Sequence, residues 1–240
     1  MPFAIPNEIL LLISAVIVYA SLLVWFAMFG KAGVYGFTVF ATILANIEVM
    51  ILIDAFGIEM TLGNMLFSST FLTTEILSEM YSKEDANRAV KIGIATSLTM
   101  IIVTQSWLYY TPNANDWAFG AIKTLFSNTP RLLLASLVVY AIVQWLDVWI
   151  YHLVWDATSR RSGDKSRFLW LRNSVATLVS QLANTVLYTI GAFYGLYEFS
   201  TLVDIIIASY VIFAIINFAD LPYMYLARYI FKKFPEKKHI

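Results

Sequence analysis

Seven stretches of the chain are apolar enough and long enough to form helices that cross a membrane. A crossing needs about 20 mostly apolar residues. The stretches are residues 9–29, 34–53, 61–80, 92–110, 132–154, 174–194 and 205–226. The third is markedly polar, so it is either a full crossing or a half-helix buried among its neighbours. The pattern predicts an all-α polytopic membrane protein, with six to seven transmembrane helices in a single bundle and one integral membrane domain over residues 1–240.

The composition excludes a water-soluble domain. Of the 240 residues, 60% are hydrophobic, 16% are aromatic and only 13% are charged, whereas soluble domains carry about 25% charged residues. The net charge of zero argues against direct binding to nucleic acid. The chain has no cysteine and only two histidines, which disfavours thiolate and histidine metal sites. We therefore expect no metal and no cofactor.

The basic residues predict the orientation of the chain in the membrane. With seven crossings and the N-terminus outside, 14 of the 16 lysines and arginines fall on the cytoplasmic side, as the positive-inside rule requires. Without the third crossing, the basic clusters at 83–91 and 160–172 would lie on opposite sides. We expect a multi-pass protein of the cell (inner or plasma) membrane with a basic cytoplasmic tail at 228–240. The 14 residues are Lys31, Lys83, Arg88, Lys91, Arg160, Arg161, Lys165, Arg167, Arg172, Arg228, Lys232, Lys233, Lys237 and Lys238.

Polar residues recur at helical spacing within four of these segments. A carboxylate at the bilayer centre costs at least about 2.5–3.5 kcal/mol, so Glu75, Asp147 and Asp220 indicate a function. Uncharged polar residues also join helices, at about 0.6 kcal/mol per hydrogen bond, and the stripe of the sixth segment alone fits either interpretation. Three acidic segments are explained most economically by one shared cavity. The stripes are Asn64, Ser68, Glu75 and Glu79; Tyr140, Gln144, Asp147 and Tyr151; Asn173, Thr177, Ser180, Gln181, Asn184 and Tyr188; and Tyr210, Asn217 and Asp220.

Such a cavity suits more than one kind of ligand. Carboxylates accept the paired N–H groups of a guanine-like edge, amides donate to its carbonyl group, and aromatic rings stack on its face. The same side chains also serve protons or a small cation. The composition does not choose between these ligands.

Several short motifs resemble the queuosine precursor transporter family. They are the runs 63–67 (GNMLF) and 74–83 (TEILSEMYSK), the run 144–149 (QWLDVW), the run 169–173 (LWLRN) followed by residues 177–181 (TLVSQ), and the run 220–228 (DLPYMYLAR). The matching blocks begin near Asn46, and the first segment carries no such motif. The sequence departs from the family at three positions: Glu75 stands where the family usually has Asp, Ser82 replaces a usual Gly, and Asn184, shortly after the run 177–181, replaces a usual Asp. The loss of the Asp charge at position 184 puts in doubt an anchor there for a cationic aminomethyl group.

The resemblance implies a carrier that imports the 7-cyano or 7-aminomethyl form of 7-deazaguanine for tRNA modification. In this interpretation Glu75 and Asp147 accept guanine-edge N–H groups, and Gln181, Asn184 and Asn46 hold the carbonyl and ring nitrogens. Arg172 and Asn173 close the cytoplasmic end, Lys83 neutralises Glu79, and Asp220 is either a second ligand or the partner of Arg172. The candidate substrate-binding residues are Asn46, Glu75, Glu79, Asp147, Arg172, Asn173, Gln181, Asn184 and Asp220.

Two other classes of protein compete with this interpretation. The first is the substrate-binding subunit of an energy-coupling-factor transporter for a vitamin or another nucleobase, which needs a separate ATPase because this chain has no Walker motif. The second is an intramembrane enzyme, which the absence of Gly-x-Ser-x-Gly and His-Glu-x-x-His motifs disfavours. We expect no catalytic residues. The energy source, an energising partner and the oligomeric state stay open.

Overall fold

The chain folds into a bundle of helices with one small β-hairpin. The computed structural model describes residues 5–127, 130–163, 167–195 and 197–233. Five of the described helices are long and apolar enough to cross a membrane: α1, α3, α5, α6 and α7. The expected all-α polytopic fold is confirmed. The elements are α1 (Asn7–Glu48), β1 (Leu52–Ala55), β2 (Ile58–Thr61), α2 (Asn64–Met80), α3 (Lys83–Trp107), α4 (Phe119–Phe126), α5 (Pro130–Ser162), α6 (Leu169–Phe193) and α7 (Phe199–Lys233).

Helix α1 contains the first two predicted segments, folded back on each other at Gly30. A straight helix of its 42 residues would be about 63 Å long, yet Asn7 donates a hydrogen bond to the carbonyl of Asp54 at 2.8 Å. The reversal occurs at Gly30, whose φ of 59° favours glycine. At Gly33 the two arms approach so closely that a Cβ atom would lie 2.1 Å from the carbonyl oxygen of Trp25.

The hairpin β1–β2 follows α1 and was missed by the sequence analysis. The predicted second segment runs to residue 53, but α1 ends at Glu48 and the strands pair antiparallel, with Leu52 opposite Thr61. Phe56 and Gly57 form the turn with φ values of 55° and 73°, as tight two-residue hairpin turns require. Residues 49–53, which the hydropathy pattern assigns to the second membrane helix, therefore lie after the end of α1 and lead into strand β1.

The bundle has two distinct ends. We call them the hairpin end, which holds β1–β2, and the Arg172 end, which holds Gly30 and the start of α6. At the Arg172 end, Lys31 pairs with Asp85 at 3.1 Å. Asp85 also accepts a hydrogen bond from Ser82, the residue that caps α3. Helices α5 and α7 extend beyond their predicted crossings at both ends. Helices α3 and α6 begin before their predicted crossings and end within them. Lys165 and residues 234–240 of the expected tail lie outside the described residues.

Helix α2, the polar third segment, lies at the centre of the bundle. Fourteen of its 17 residues are buried. Four of its hydroxyl groups donate to the carbonyls of the preceding turn, as Ser69 does to Leu66 and Thr73 does to Thr70, both at 2.6 Å, whereas those of Ser68 and Ser78 have no partner among the described residues. A polar helix is tolerated at this depth because its own backbone and its neighbours satisfy most of these groups. The expectation that this segment is covered by other helices agrees with its position.

Candidate functional site: a cavity above three buried carboxyl groups

A cavity of about 600 Å³ lies in the half of the bundle nearest the hairpin. Its rim includes Leu52, Tyr197 and Thr201, all of which are exposed, so the cavity opens at the hairpin end. The volume is within the range of about 300–1,000 Å³ that is typical of small-molecule sites. The structure thus supplies one cavity of the right size for the predicted class of ligand.

The wall of the cavity combines amide, hydroxyl and aromatic side chains. Asn46 donates to the carbonyl of Thr42 at 2.8 Å, and Asn184 donates to the side-chain oxygen of Gln181 at 3.3 Å. Both asparagines are predicted site residues that line the cavity. Aromatic rings provide flat apolar surface on which a planar heterocycle can stack. They belong to Phe67, Tyr140, Tyr188, Phe193, Tyr197 and Phe213.

Three carboxyl groups lie deeper in the bundle, on three different helices. Glu75 comes from α2, Asp147 from α5 and Asp220 from α7, and each side chain is at most 1% exposed. We call this group the carboxyl triad. Glu75 interacts electrostatically with the other two, and Asp220 with Asp147. The structure therefore brings together the three acids that the polar stripes single out.

Helix α6 supplies the hydrogen-bond donors of the triad. The Thr177 hydroxyl donates to Glu75 Oε1 at 2.6 Å, and Asn173 Nδ2 donates to Asp220 Oδ1 at 3.4 Å. Neither oxygen of Asp147 has a hydrogen-bond partner among the described residues, although the hydroxyl of Ser180 lies beside it. The triad is therefore only partly satisfied by the protein.

Further polar atoms between the triad and the cavity also lack partners within the part of the chain that is described. They are Gln144 Oε1, Gln181 Nε2, both side-chain atoms of Asn217, and Glu75 Oε2. Two of these residues reach the cavity wall, because Gln144 donates to Thr70 at 2.6 Å and Gln181 accepts from Asn184. More than 90% of buried polar groups are normally paired. Such a concentration of unpaired donors and acceptors beside a cavity indicates a ligand-binding region.

An ion pair between Arg172 and Glu79 lies on the far side of the triad from the cavity. Arg172 Nη2 is 2.6 Å from Glu79 Oε1, and its Nε is 3.0 Å from Oε2. The Tyr151 hydroxyl also donates to Oε2, at 2.8 Å. The guanidinium group stacks on Trp155 at 4.3 Å, and its Nη1 donates to the carbonyl of Arg167 at 2.8 Å. This pair links α2, α5 and α6 at the Arg172 end.

The ion pair corrects two sequence-based assignments. Glu79 was expected to be neutralised by Lys83, and Arg172 was considered as a partner for Asp220. Glu79 instead pairs with Arg172 and lies 4.0 Å from Arg228, whereas Lys83 lines a separate cleft with His152. Lys83 begins helix α3 after the cap at Ser82, and the other residues that line its cleft belong to α5. Asp220 takes Asn173 as its partner instead.

Tyr151, Thr177 and Gln144 were not among the predicted binding residues, yet each contacts the acidic groups or the cavity wall. All three belong to the polar stripes, so their helical spacing was the signal that could have identified them as site residues.

Within the described residues, no cluster of three or more His, Cys, Asp or Glu side chains has the geometry to hold a metal ion.

A family model described as "Putative vitamin uptake transporter" matches residues 61–227, which is more than half of the chain. The chain belongs to this transporter family. The matched stretch contains the triad, Glu79 and Arg172, whereas Asn46 lies before it.

Two curated relatives of this transporter carry more specific names. It is 36% identical to a protein of Bacillus subtilis (strain 168) named "Probable queuosine precursor transporter", over 214 residues that cover 89% of this chain and 91% of the relative. It is 24% identical to the "Queuosine precursor transporter" of Escherichia coli (strain K12), over 62% of each chain. These relatives confirm the resemblance drawn from the short motifs. No solved structure matches the chain.

Proposed function

We propose that this transporter imports a 7-deazaguanine precursor of queuosine, in the 7-cyano or 7-aminomethyl form, across the cell membrane. The names of its two relatives support this substrate class. The observation that carries the proposal is the set of unpaired, buried donors and acceptors between the cavity and the triad.

The unpaired atoms complement the edge of a guanine-type base. Its ring N–H and exocyclic amino groups are donors, and its carbonyl oxygen is an acceptor. Glu75 Oε2 and the two Asp147 oxygens accept the N–H groups, and Gln181 Nε2 donates to the carbonyl. Asn184 and Asn46 contact the opposite edge from the cavity wall, where aromatic rings stack on the base. A hydrogen bond to a charged group contributes about 1.5–3 kcal/mol.

We further infer that the chain crosses the membrane seven times, with the hairpin end outside. Helix α1 supplies two crossings because it folds back at Gly30, and the central helix α2 supplies the third. Cytoplasmic placement of the Arg172 end agrees with the positive-inside rule. The described lysines and arginines at that end are Lys31, Lys83, Arg88, Lys91, Arg160, Arg161, Arg167, Arg172, Arg228, Lys232 and Lys233.

With this orientation the structure corresponds to an outward-open carrier. The cavity opens toward the outside, and the buried pair of Arg172 with Glu79 closes the cytoplasmic end. Release into the cytoplasm then requires this pair to separate while the rim of the cavity closes. Such alternation keeps the substrate site accessible from one side at a time.

Direct binding to the purified protein tests the proposal. We expect saturable binding of 7-cyano- or 7-aminomethyl-7-deazaguanine, measured by calorimetry, with guanine and a vitamin as controls. Each of the variants Glu75→Gln, Asp147→Asn and Gln181→Ala should weaken binding roughly 10–100-fold, because each removes one hydrogen-bonding partner of the base. The matched control is Asp156→Asn, which changes an exposed carboxylate on the same helix as Asp147. Undiminished binding in all three variants would eliminate this site.

The same preparation separates the carrier from the binding subunit of an ATP-driven transporter. A carrier reconstituted alone in liposomes exchanges internal unlabelled substrate for external labelled substrate. A binding subunit that needs an energising partner binds the base but shows no exchange, and it co-purifies with an ATPase.

A further inference from the structure

We propose that the carboxyl triad of Glu75, Asp147 and Asp220 is a proton-binding site that couples import to a proton gradient. This inference rests on the proposed import function and adds its energy source. The triad lies between the cavity and the ion pair at the Arg172 end, and its side chains are at most 1% exposed. A site that carries a coupling ion must lie on the path between the open cavity and the opposite end of the bundle.

The charges around the triad do not balance it. The acidic and basic groups near it are Glu79, Arg172 and Arg228, and both arginines lie against Glu79, Arg172 in a close ion pair and Arg228 at 4.0 Å. The other titratable side chains that interact with the triad are hydroxyl groups, which add no positive charge: Tyr19 from α1 and Tyr151 from α5. Three ionised carboxylates enclosed without a cation are strongly disfavoured inside a membrane.

The unpaired atoms around Asp147 supply a second, independent observation. Both of its oxygens lack a hydrogen-bond partner, and two hydroxyl groups lie beside it: that of Ser180, which is unpaired and fully buried, and that of Thr74, which donates to the carbonyl of Phe71. A carboxyl group that carries a proton becomes a donor, so it can bond to a neighbouring hydroxyl oxygen. The described residues offer no cluster suited to a metal ion. The proton is therefore the cation that fits this site.

A neutral substrate does not remove the need for protons. The N–H groups of 7-cyano-7-deazaguanine are neutral donors, so binding them leaves the total charge of the triad unchanged. An ionised triad is tolerated only in a state in which water reaches it, whereas in this structure its side chains are at most 1% exposed. Enclosing the triad therefore requires protons, and this requirement links the movement of protons to the movement of substrate.

The test uses the whole protein in liposomes and 7-cyano-7-deazaguanine as the substrate. With one proton carried per substrate, an exterior that is one pH unit more acidic than the interior supports about tenfold accumulation. A protonophore should abolish that accumulation without stopping exchange of labelled for unlabelled substrate. A pH indicator trapped inside should also report acidification of the lumen when substrate is added outside at equal pH.

The variant Asp220→Asn tests the triad itself. We expect the ratio of gradient-driven uptake to exchange to fall at least about tenfold, because exchange needs no net movement of protons. The control Asp204→Asn changes an exposed carboxylate on the same helix and should keep the wild-type ratio. If Asp220→Asn does not fold, the lumenal pH measurement on the wild-type protein still decides whether protons move with the substrate.

The outcomes distinguish the two proposals. Exchange that proceeds with no effect of the pH gradient and no lumenal acidification would overturn proton coupling and leave the import function standing. An unchanged ratio in Asp220→Asn would remove the triad as the proton site. The absence of both binding and exchange would overturn the import function and, with it, proton coupling.

Discussion

The ion pair between Arg172 and Glu79 makes the strongest energetic prediction. Its guanidinium group is completely buried and contacts both oxygens of Glu79. The variant Arg172→Gln removes the positive charge but keeps a polar side chain of moderate size. It leaves Glu79 buried, with Arg228 no closer than 4.0 Å. We therefore expect a large loss of stability from this single substitution.

The magnitude follows from the cost of leaving one member of a buried pair behind. Removing one partner typically destabilises a protein by about 3–5 kcal/mol. For a chain of this size, 1 kcal/mol corresponds to about 2–4 °C in melting temperature, so the expected decrease is roughly 6–20 °C. The double variant Glu79→Gln with Arg172→Gln removes both charges. It should be more stable than the sum of the single effects predicts, by roughly 0.5–3 kcal/mol.

Thermal unfolding in detergent, followed by tryptophan fluorescence, measures these effects because the chain has seven tryptophans. Arg161→Gln is the control, since Arg161 is an exposed arginine at the same end of the bundle. Two results would refute the reasoning. One is a decrease for Arg172→Gln no larger than that for Arg161→Gln, and the other is strict additivity of the two single variants.

Two further predictions concern the fold-back of α1 and the orientation of the bundle. Gly33→Ala places a Cβ atom against a backbone carbonyl and should destabilise the protein by about 1–3 kcal/mol, whereas Gly120→Ala, which meets no atom within 4 Å, should leave the melting temperature unchanged. Since the natural chain has no cysteine, Leu52→Cys should react with an impermeant maleimide on intact cells and Arg88→Cys only after permeabilisation. The reverse labelling pattern would invert the proposed orientation.

Helical spacing predicts which polar residues share a face, and that information was sufficient to find the triad. Glu75, Asp147 and Asp220 each lie on a stripe with period near 3.6, so each faces the interior of the bundle rather than lipid. Acidic side chains in different helices avoid the hydrocarbon only by meeting inside the protein. The convergence of the three acids therefore follows from their positions and from the solvent in which the chain folds.

The partner of Glu79 and the hairpin could not be obtained in the same way. The choice between Lys83 and Arg172 depends on how α2 and α6 are aligned along their axes, and spacing within one segment does not contain that information. The hairpin was missed because the apolar residues at 50–53 continue the hydropathy of α1. Its turn at Phe56 and Gly57 is a local signal that a search for membrane segments averages out.

Helix α2 connects the parts of the site in a single line. Phe67 and Thr70 line the cavity, Glu75 belongs to the triad, and Glu79 forms the ion pair. Over the 15 steps between Asn64 and Glu79 the helix rises about 22 Å, most of the hydrocarbon thickness of about 30 Å. A substrate that moves from the cavity toward the Arg172 end passes these groups in that order. In the proposed import the transport path runs along α2, which accounts for a polar helix at the centre of the bundle.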